Sequence, residues 1–345
     1  MGAPGCGTVK AITAMHGTPG LGAGEEPPVV SVVTPSLNQA AFLEATILSV
    51  LGQEYPRLEY IVMDGGSTDG SVDLIRKYAH RLLDWTSGPD RGQADAVNRG
   101  FAKASGAILA WLNSDDTYEA GAVQVVVAAF AAQPEVDAIY GDCVYVNQAG
   151  RPVTVFHAQP FDLAGFLCTE GYIHQPTVFL RRRVVEQMGP LDTSFSLCLD
   201  YEYWLRMATT CRWLYLPRSL ARFRMHPAAK STARRREFLG ERLRCLDRLF
   251  ADPALPAKVL AVRNQAYAVA YVSGGIQSYE AGDLREARGR LLAALRWDAN
   301  PFRLRTLKAT LLLFDVLTGL RVGKRLLDLH RRALWRRWRA AEGAP

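Results

Sequence analysis

The sequence predicts an α/β fold with a mostly parallel central sheet, helices on its faces and a helical C-terminal extension. Three observations carry that expectation. Short apolar, β-branched runs alternate with helical patterns through the first third of the chain. Two of these runs stop on acids, and from about Ser231 the pattern is helical to the end. A chain of 345 residues, 49% of them hydrophobic, is also long enough for one large domain and a smaller partner region.

The elements follow in order. Residues 1–27, rich in Gly, Ala and Pro, predict a disordered leader. "PVVSVVTP" (Pro28–Pro35) reads as a buried strand, and a helix is expected from Gln39 to Leu51. "LEYIVMD" (Leu58–Asp64) is a strand that ends on an acid, and Asp69 is a plausible N-cap for the helix after it. "LLDWTS", "GQADAVNRGFAKA" and "AILAWL" predict strand, helix and strand, the last leading into Asp115 and Asp116. Beyond Asp137 two strands flank the turn "NQAG", a short helix covers Asp200–Ala208, and "RWLYLP" and "SLARFRMH" read as closing strands. Residues 28–230 then form one domain and residues 231–345 a helical region with a basic tail. "YEAGDLREARGRLLAALRWDANP" resembles one helical hairpin unit of a tetratricopeptide repeat. Such arrays need about three units, so it is read as helical packing.

In sheets of this kind ligands bind beyond the carboxyl ends of the strands, where Asp64, Asp115 and Asp116 are expected. Two adjacent acids there repel, and a divalent cation relieves the cost. Magnesium or manganese suits one or two carboxylates completed by phosphate oxygens and water.

"VSVVTPSLNQAAFLEATILSVLGQEYPRLEYIVMDGGSTDGS", then "DRGQADAVNRGFAKASGAILAWLNSDD", "HQPTVFLRR" and "LDYEYWLRMA", in that order, resemble a family 2 nucleotide-sugar glycosyltransferase of the GT-A fold. The resemblance covers about Val29 to His226. It implies an inverting hexosyltransferase with a nucleotide-sugar donor (UDP-sugar first), a glycan or lipid-linked acceptor, and Mg2+ or Mn2+. It sets Pro35, Leu37 and Asn38 over the nucleotide base and gives Asp64 the base contact; the plainer alternative has Asp64 capping the next helix. Asp95 and Asn98 match the element lining the donor pocket, although Asn98 also suits a polar helix position. Asp116 matches the metal ligand and Asp115 the ribose or sugar contact, with Asn113 where the stricter motif has a third acid. Asp200 matches the catalytic base, with Leu199 where a Glu is common; Glu202 is then an acceptor or loop contact. His174 matches an element ordering the acceptor loop. His226 matches a ligand of metal or diphosphate, with Arg222 and Arg224 near enough in sequence to bind phosphate. The alternative is a non-catalytic nucleotide-sugar-binding protein of the same fold. A nucleotidyltransferase would need a Gly-rich basic phosphate loop, and "TPSLNQ" is not one.

The net charge of +7 belongs to the tail. Residues 301–345 hold eleven Arg and Lys against Asp315, Asp328 and Glu342, a net +8, so the body is near neutral. With Trp335 and Trp338, this tail suits a peripheral contact with an anionic membrane surface. No base-reading module accompanies it, so nucleic acid is not an expected partner. Six scattered cysteines without a CxxC pair exclude a zinc ribbon or disulfide scaffold and fit a reducing cytoplasm, at the inner face of the membrane if the tail binds there. No run reaches the roughly 18–20 apolar residues of a membrane span.

Overall fold

The computed structural model describes residues 26–169 and 171–325. The expected leader up to residue 25, and the Trp-bearing part of the tail after Arg325, lie outside the described residues. The first half runs β1 (Val30–Ser36), α1 (Ala40–Leu51), β2 (Leu58–Asp64), α2 (Ser71–Tyr78), β3 (Asp84–Ser87), α3 (Gln93–Lys103) and β4 (Ile108–Trp111). Next come β5 (Thr117–Tyr118), α4 (Ala122–Ala132), β6 (Ala138–Val146), β7 (Pro152–Phe156), α5 (Leu163–Leu167), β8 (Phe179–Arg181), α6 (Arg182–Met188), α7 (Leu199–Met207) and β9 (Trp213–Arg224). The C-terminal helices are α8 (Lys230–Ala233), α9 (Phe238–Phe250), α10 (Ala257–Leu260), α11 (Arg263–Glu280), α12 (Leu284–Trp297) and α13 (Leu304–Thr318).

One sheet links the described strands in the order β3-β2-β1-β4-β8-β6-β9-β5, with β7 also paired to β6. From β3 to β4 all pairings are parallel, and β6 pairs parallel with β9. β8 runs antiparallel between β4 and β6, and β5 antiparallel beside β9. The continuous apolar runs of β1 and β4 follow from burial on both faces. Val30 and Val32 pack with Leu43 and Ile47 of α1 and with α4. Val33, Leu109 and Trp111 point the other way, into a second core with α3, α7 and α9. There the Trp111 and Trp204 rings stack at 5.4 Å, joining the end of β4 to α7.

Two expectations change in detail. "RWLYLP" and "SLARFRMH" form one strand, β9, whose register to β6 jumps from Leu216 opposite Gly141 to Ser219 opposite Asp142. The extra residues, Pro217 and Arg218, form a bulge, which removes the need for a ladder N–H at Pro217. Gly141 is required opposite it, because a Cβ there would sit 2.5 Å from the Arg218 carbonyl oxygen. At α2 the N-cap position is Gly70, at φ 96°, and not Asp69. Asp69 accepts from Ser71 N at 3.0 Å and from Ala40 N at 2.9 Å, tying the start of α2 to the start of α1.

α3 lies against β1 at Gly100, where a Cβ would come within 2.3 Å of Val33 Cγ1. Gly100→Ala should therefore destabilise the protein by about 1–3 kcal/mol through overpacking, despite alanine's better helix propensity. Urea unfolding would measure it, and a gain in stability would show that α3 has slack.

Candidate active site

A cavity of about 480 Å³ opens where β1 and β4 end, and its wall includes Pro35, Leu37, Asp115, His174, Asp200 and Lys230. Its location follows from topology, since the loops after parallel strands leave from one edge. Pro35 pairs with Met63 of β2 but lies past the last β4 partner, Trp111, so the ladder on that side asks for no N–H. Asn38 adopts φ 53°, alone among the described non-glycine residues in a positive φ. Its N–H donates to Ser67 Oγ at 2.7 Å and its Oδ1 accepts from Thr68 N at 2.9 Å. Asn38 thus fastens two loops together and is not on the cavity wall, whereas Leu37 stays 54% exposed over the opening.

Several expected contact residues stand behind the wall. Asp64 is buried and accepts from Gly66 N (3.0 Å), Ser67 N (2.9 Å), Ser67 Oγ (2.5 Å) and Ser87 Oγ (2.7 Å). Both its oxygens are committed to the turn after β2 and to Ser87 of β3, short of the start of α2 at Ser71. Asp95 forks onto Arg91 at 2.6 and 3.1 Å and accepts from Arg91 N, which fixes the turn leading into α3. Asn98 brackets Leu191, donating to its carbonyl at 2.9 Å and accepting from its N–H at 2.8 Å. It is bound to that loop and is not on the cavity wall.

The two acids after β4 stand in different surroundings. Asp116 is buried, with Oδ1 accepting from Arg224 N at 2.9 Å and Oδ2 left without a partner. Burial, then the charge of Asp115, pushes its carboxyl well above the ordinary range. Asp115 turns to the cavity, and its Oδ2 stands 3.0 Å from His226 Nε2. His226 is buried against the Phe42 ring at 4.5 Å. At 3.0 Å the pair is hydrogen-bonded, and a carboxylate beside an imidazole is a donor set of the kind manganese accepts. Among the described residues no three His, Cys, Asp or Glu side chains converge. The arginines expected on phosphate are engaged elsewhere. Arg222 pairs with Glu119 at 2.8 Å, while Arg224 donates to the carbonyls of Asp115 and Gln148.

Asp200 lies in the first turn of α7, on the cavity wall. Burial pushes its carboxyl up to about 6, against the pull of the Tyr201 N–H that donates to it at 2.7 Å. Glu202, expected as an acceptor or loop contact, is not on this wall. It faces away from the cavity, buried on Arg206 at 3.0 Å, as helical spacing requires of residues two apart. His174 is on the wall with its ring edge-on to Phe156 at 4.2 Å, and burial lowers it to about 4, so it is neutral at physiological pH.

Sequence motifs do not flag two further residues. Lys230 reaches the wall from α8 and donates to Gln93 Oε1 at 2.9 Å; burial, then Arg234, draws its ammonium below the usual range. Glu241 of α9 accepts from the N–H groups of Ser196 (3.0 Å), Leu197 (2.8 Å) and Cys198 (2.9 Å) at the mouth of α7. Burial alone would raise its carboxyl, but these amides outweigh it and hold the carboxyl low. A residue of the C-terminal helices thereby caps the helix that carries Asp200. It has no advance signal in the sequence beyond the helical pattern expected from about Ser231.

The sequence model "Glycosyl transferase family 2" matches residues 31–188. An uncharacterised glycosyltransferase of Mycobacterium tuberculosis strain CDC 1551 / Oshkosh is 33% identical over 190 residues, spanning 53% of this chain and 70% of that protein. A PGL/p-HBAD biosynthesis glycosyltransferase of Mycobacterium bovis strain BCG / Pasteur 1173P2 is 32% identical over 183 residues, 52% of this chain and 69% of that protein. Among solved structures, mannosyltransferase PcManGT of Pyrobaculum calidifontis, in complex with GDP-Man and Mn2+, superposes with a TM-score of 0.58 at 20% identity, covering 93% of this chain and 89% of that one. S. aureus TarS residues 1–349 with UDP-GlcNAc gives 0.59 at 17% identity, covering 88% and 92%. With these relatives and this GT-A fold, the chain belongs to glycosyltransferase family 2 and is a glycosyltransferase.

Proposed function

We propose that the enzyme is an inverting hexosyltransferase that moves a sugar from a nucleoside-diphosphate sugar, UDP-linked in the first instance, to a hydroxyl of a glycan or lipid-linked acceptor, as in cell-surface polysaccharide synthesis. One observation carries this reading. Asp200, held near the operating pH, shares a cavity wall with Asp115 and Lys230. The descriptions of PcManGT with GDP-Man and Mn2+ and of TarS with UDP-GlcNAc extend to this chain as support for the donor class. The mycobacterial relative's role in PGL/p-HBAD biosynthesis supports a cell-envelope acceptor.

In this reading Pro35 and Leu37 border the nucleotide, and Lys230 neutralises the diphosphate. Asp115 and His226 would hold the divalent cation, which supplies charge for the leaving diphosphate. Asp200 takes the proton of the acceptor hydroxyl as its oxygen bonds to the anomeric carbon. The bond from that carbon to the diphosphate oxygen breaks on the opposite face, so the configuration inverts. Asp64, Asp95, Asn38 and Asn98 brace the loops that form the wall, and Asp116 braces the strand end. The catalytic domain is residues 28–230, completed by the helices α8 to α13.

A cytoplasmic enzyme at the inner face of the membrane is consistent with α13. Leu304, Leu307, Phe314 and Leu317 are all exposed there, just ahead of the basic Trp-bearing segment. Among the described residues no helix is long and apolar enough to cross a membrane.

Asp115→Asn should abolish the manganese-dependent part of UDP-sugar binding in calorimetry. Asp116→Asn should leave that part within about threefold while lowering the melting temperature; the reverse pattern would return the metal to Asp116. For the base, kcat/KM should rise with unit slope up to about pH 6 and then level, because only ionised Asp200 accepts the proton. Asp200→Asn should lose ~10²–10⁴-fold in transfer with donor affinity kept, and near-normal transfer would reassign the base. At the surface, Leu307→Ser with Phe314→Ser should reduce sedimentation with phosphatidylglycerol vesicles and leave transfer to a soluble acceptor intact. Unchanged sedimentation would remove α13 from any membrane contact.

A further inference from the structure

Helix α7 carries Asp200 in its first turn and has no cap of its own, since the side chain at its N-cap position, Cys198, accepts no bond from it. The amides that open α7 are taken by Glu241, in the first turn of α9, which also accepts from the Ser196 hydroxyl at 3.0 Å. A carboxylate suits the positive pole of a helix. α9 is in turn fastened to the chain on either side of this junction. Before it, Arg244 donates to the Ser194 carbonyl at 3.0 Å and lies over the Phe195 ring at 4.5 Å, and Arg248 pairs with Asp192 at 2.6 Å. After it, the Arg242 guanidinium lies over the Tyr201 ring at 5.1 Å and donates to the Thr169 carbonyl at 2.6 Å. Ser196, Leu197, Leu199 and Asp200 all stand on the cavity wall, so the segment that Glu241 holds is the part of the wall that leads to the base.

Resting on the reading of Asp200 as the base, we infer that Glu241 is a positioning residue for transfer, which fixes the place of the Asp200 carboxylate by closing the start of α7. Asp200 is the second residue of that helix, so any shift of its first turn moves the carboxylate with it. Glu241 is not on the cavity wall and lies beyond residue 188, where the family match ends. It acts through backbone. Its charge bears on Asp200 as well: burial is the main cause that raises the Asp200 carboxyl, and Glu241 raises it further. The other ionisable groups around Asp200 are neutral near pH 6 or engaged elsewhere. Burial pushes up the thiols of Cys198 and Cys245 and the phenol of Tyr201, and pushes His174 down. Glu202 is on Arg206, Asp115 is on His226, and Lys230 donates to Gln93. Removing the Glu241 charge should therefore let Asp200 release its proton at lower pH.

The test compares the full-length wild type with Glu241→Gln and Glu241→Asp, by carboxyl-carbon NMR of isotope-labelled aspartate and by turnover. Asp200→Asn assigns the resonance. Glu241→Gln keeps the shape but removes the charge and one acceptor oxygen. The Asp200 carboxyl should titrate at about pH 6 in the wild type and at lower pH in Glu241→Gln. The kcat for UDP release from UDP-glucose, UDP-galactose or UDP-N-acetylglucosamine with manganese should fall about 10–100-fold, the scale of a misplaced catalytic group, with UDP affinity within about threefold. Glu241→Asp keeps the charge on a shorter side chain and should fall between the two in both readouts. A Glu241→Gln protein that melts earlier, yet keeps the wild-type kcat and Asp200 titration, would make Glu241 a stabilising cap only and overturn the inference. Should Glu241→Gln fail to fold, Glu241→Asp decides, and wild-type kcat and titration in it would overturn the inference too. If Asp200→Asn releases UDP as fast as the wild type, the base assignment falls instead. The titration, which needs no turnover, still decides whether Glu241 governs the Asp200 carboxyl.

Discussion

The amide of Arg224 donating to buried Asp116 is the contact on which the site turns. A carboxylate with so little exposure needs a partner, and here the partner is backbone arriving from a strand more than a hundred residues later in the chain. The two-residue strand β5, paired with Arg222 and Ala221 of β9, sets the approach, and Thr46 Oγ1 donates to the Asp116 carbonyl at 2.7 Å from the other side. Three results follow together. The end of β4 is fixed to β9, Asp115 is left facing the opening, and His226, two residues past Arg224, is delivered to it. The adjacent acids at the strand end are therefore not two equivalent charges. One is a structural acceptor inside the protein and the other belongs to the cavity.

The parallel half of the fold was legible because its signals are local. Leu58–Asp64 is a strand over the predicted residues, and β1, β3 and β4 differ from expectation only at their ends. Strand β5 was not legible, since two residues carry no periodicity. The single long β9 was hidden by Pro217, whose bulge depends on what Gly141 permits on the neighbouring strand. At the site, the residue types were readable but their orientations were not. Alternation assigns faces within a strand, and Asp115 and Asp116 sit in the turn beyond one. Lys230 and Glu241 were invisible for a different reason. Their roles are long-range, and neither residue type is unusual on an exposed helix.

Most motif residues that resemblance set against the donor brace the loops around the cavity. Asn38 joins the first two loops, Asp64 closes the turn after β2, Asp95 orders the entry to α3 and Asn98 holds the loop before α7. Their polar atoms are engaged by backbone and by neighbouring side chains, so the loops that carry Leu37, Gly92 and Leu199 to the cavity wall are held in one arrangement. A site built this way is shaped before anything enters it, which spares the ligand the cost of ordering it.

The cap on α7 has a consequence for the order in which the protein becomes competent. A ribosome releases the chain from the N-terminus, and the sheet with its motif residues is complete before α9 has been made. Until Glu241 emerges, the amides of Ser196, Leu197 and Cys198 lack their acceptor and the helix bearing Asp200 is unfinished at its start. The parallel strands can thus assemble before α7 receives its cap. A chain stopped before Glu241 keeps the family's motifs yet leaves the start of α7 without this cap.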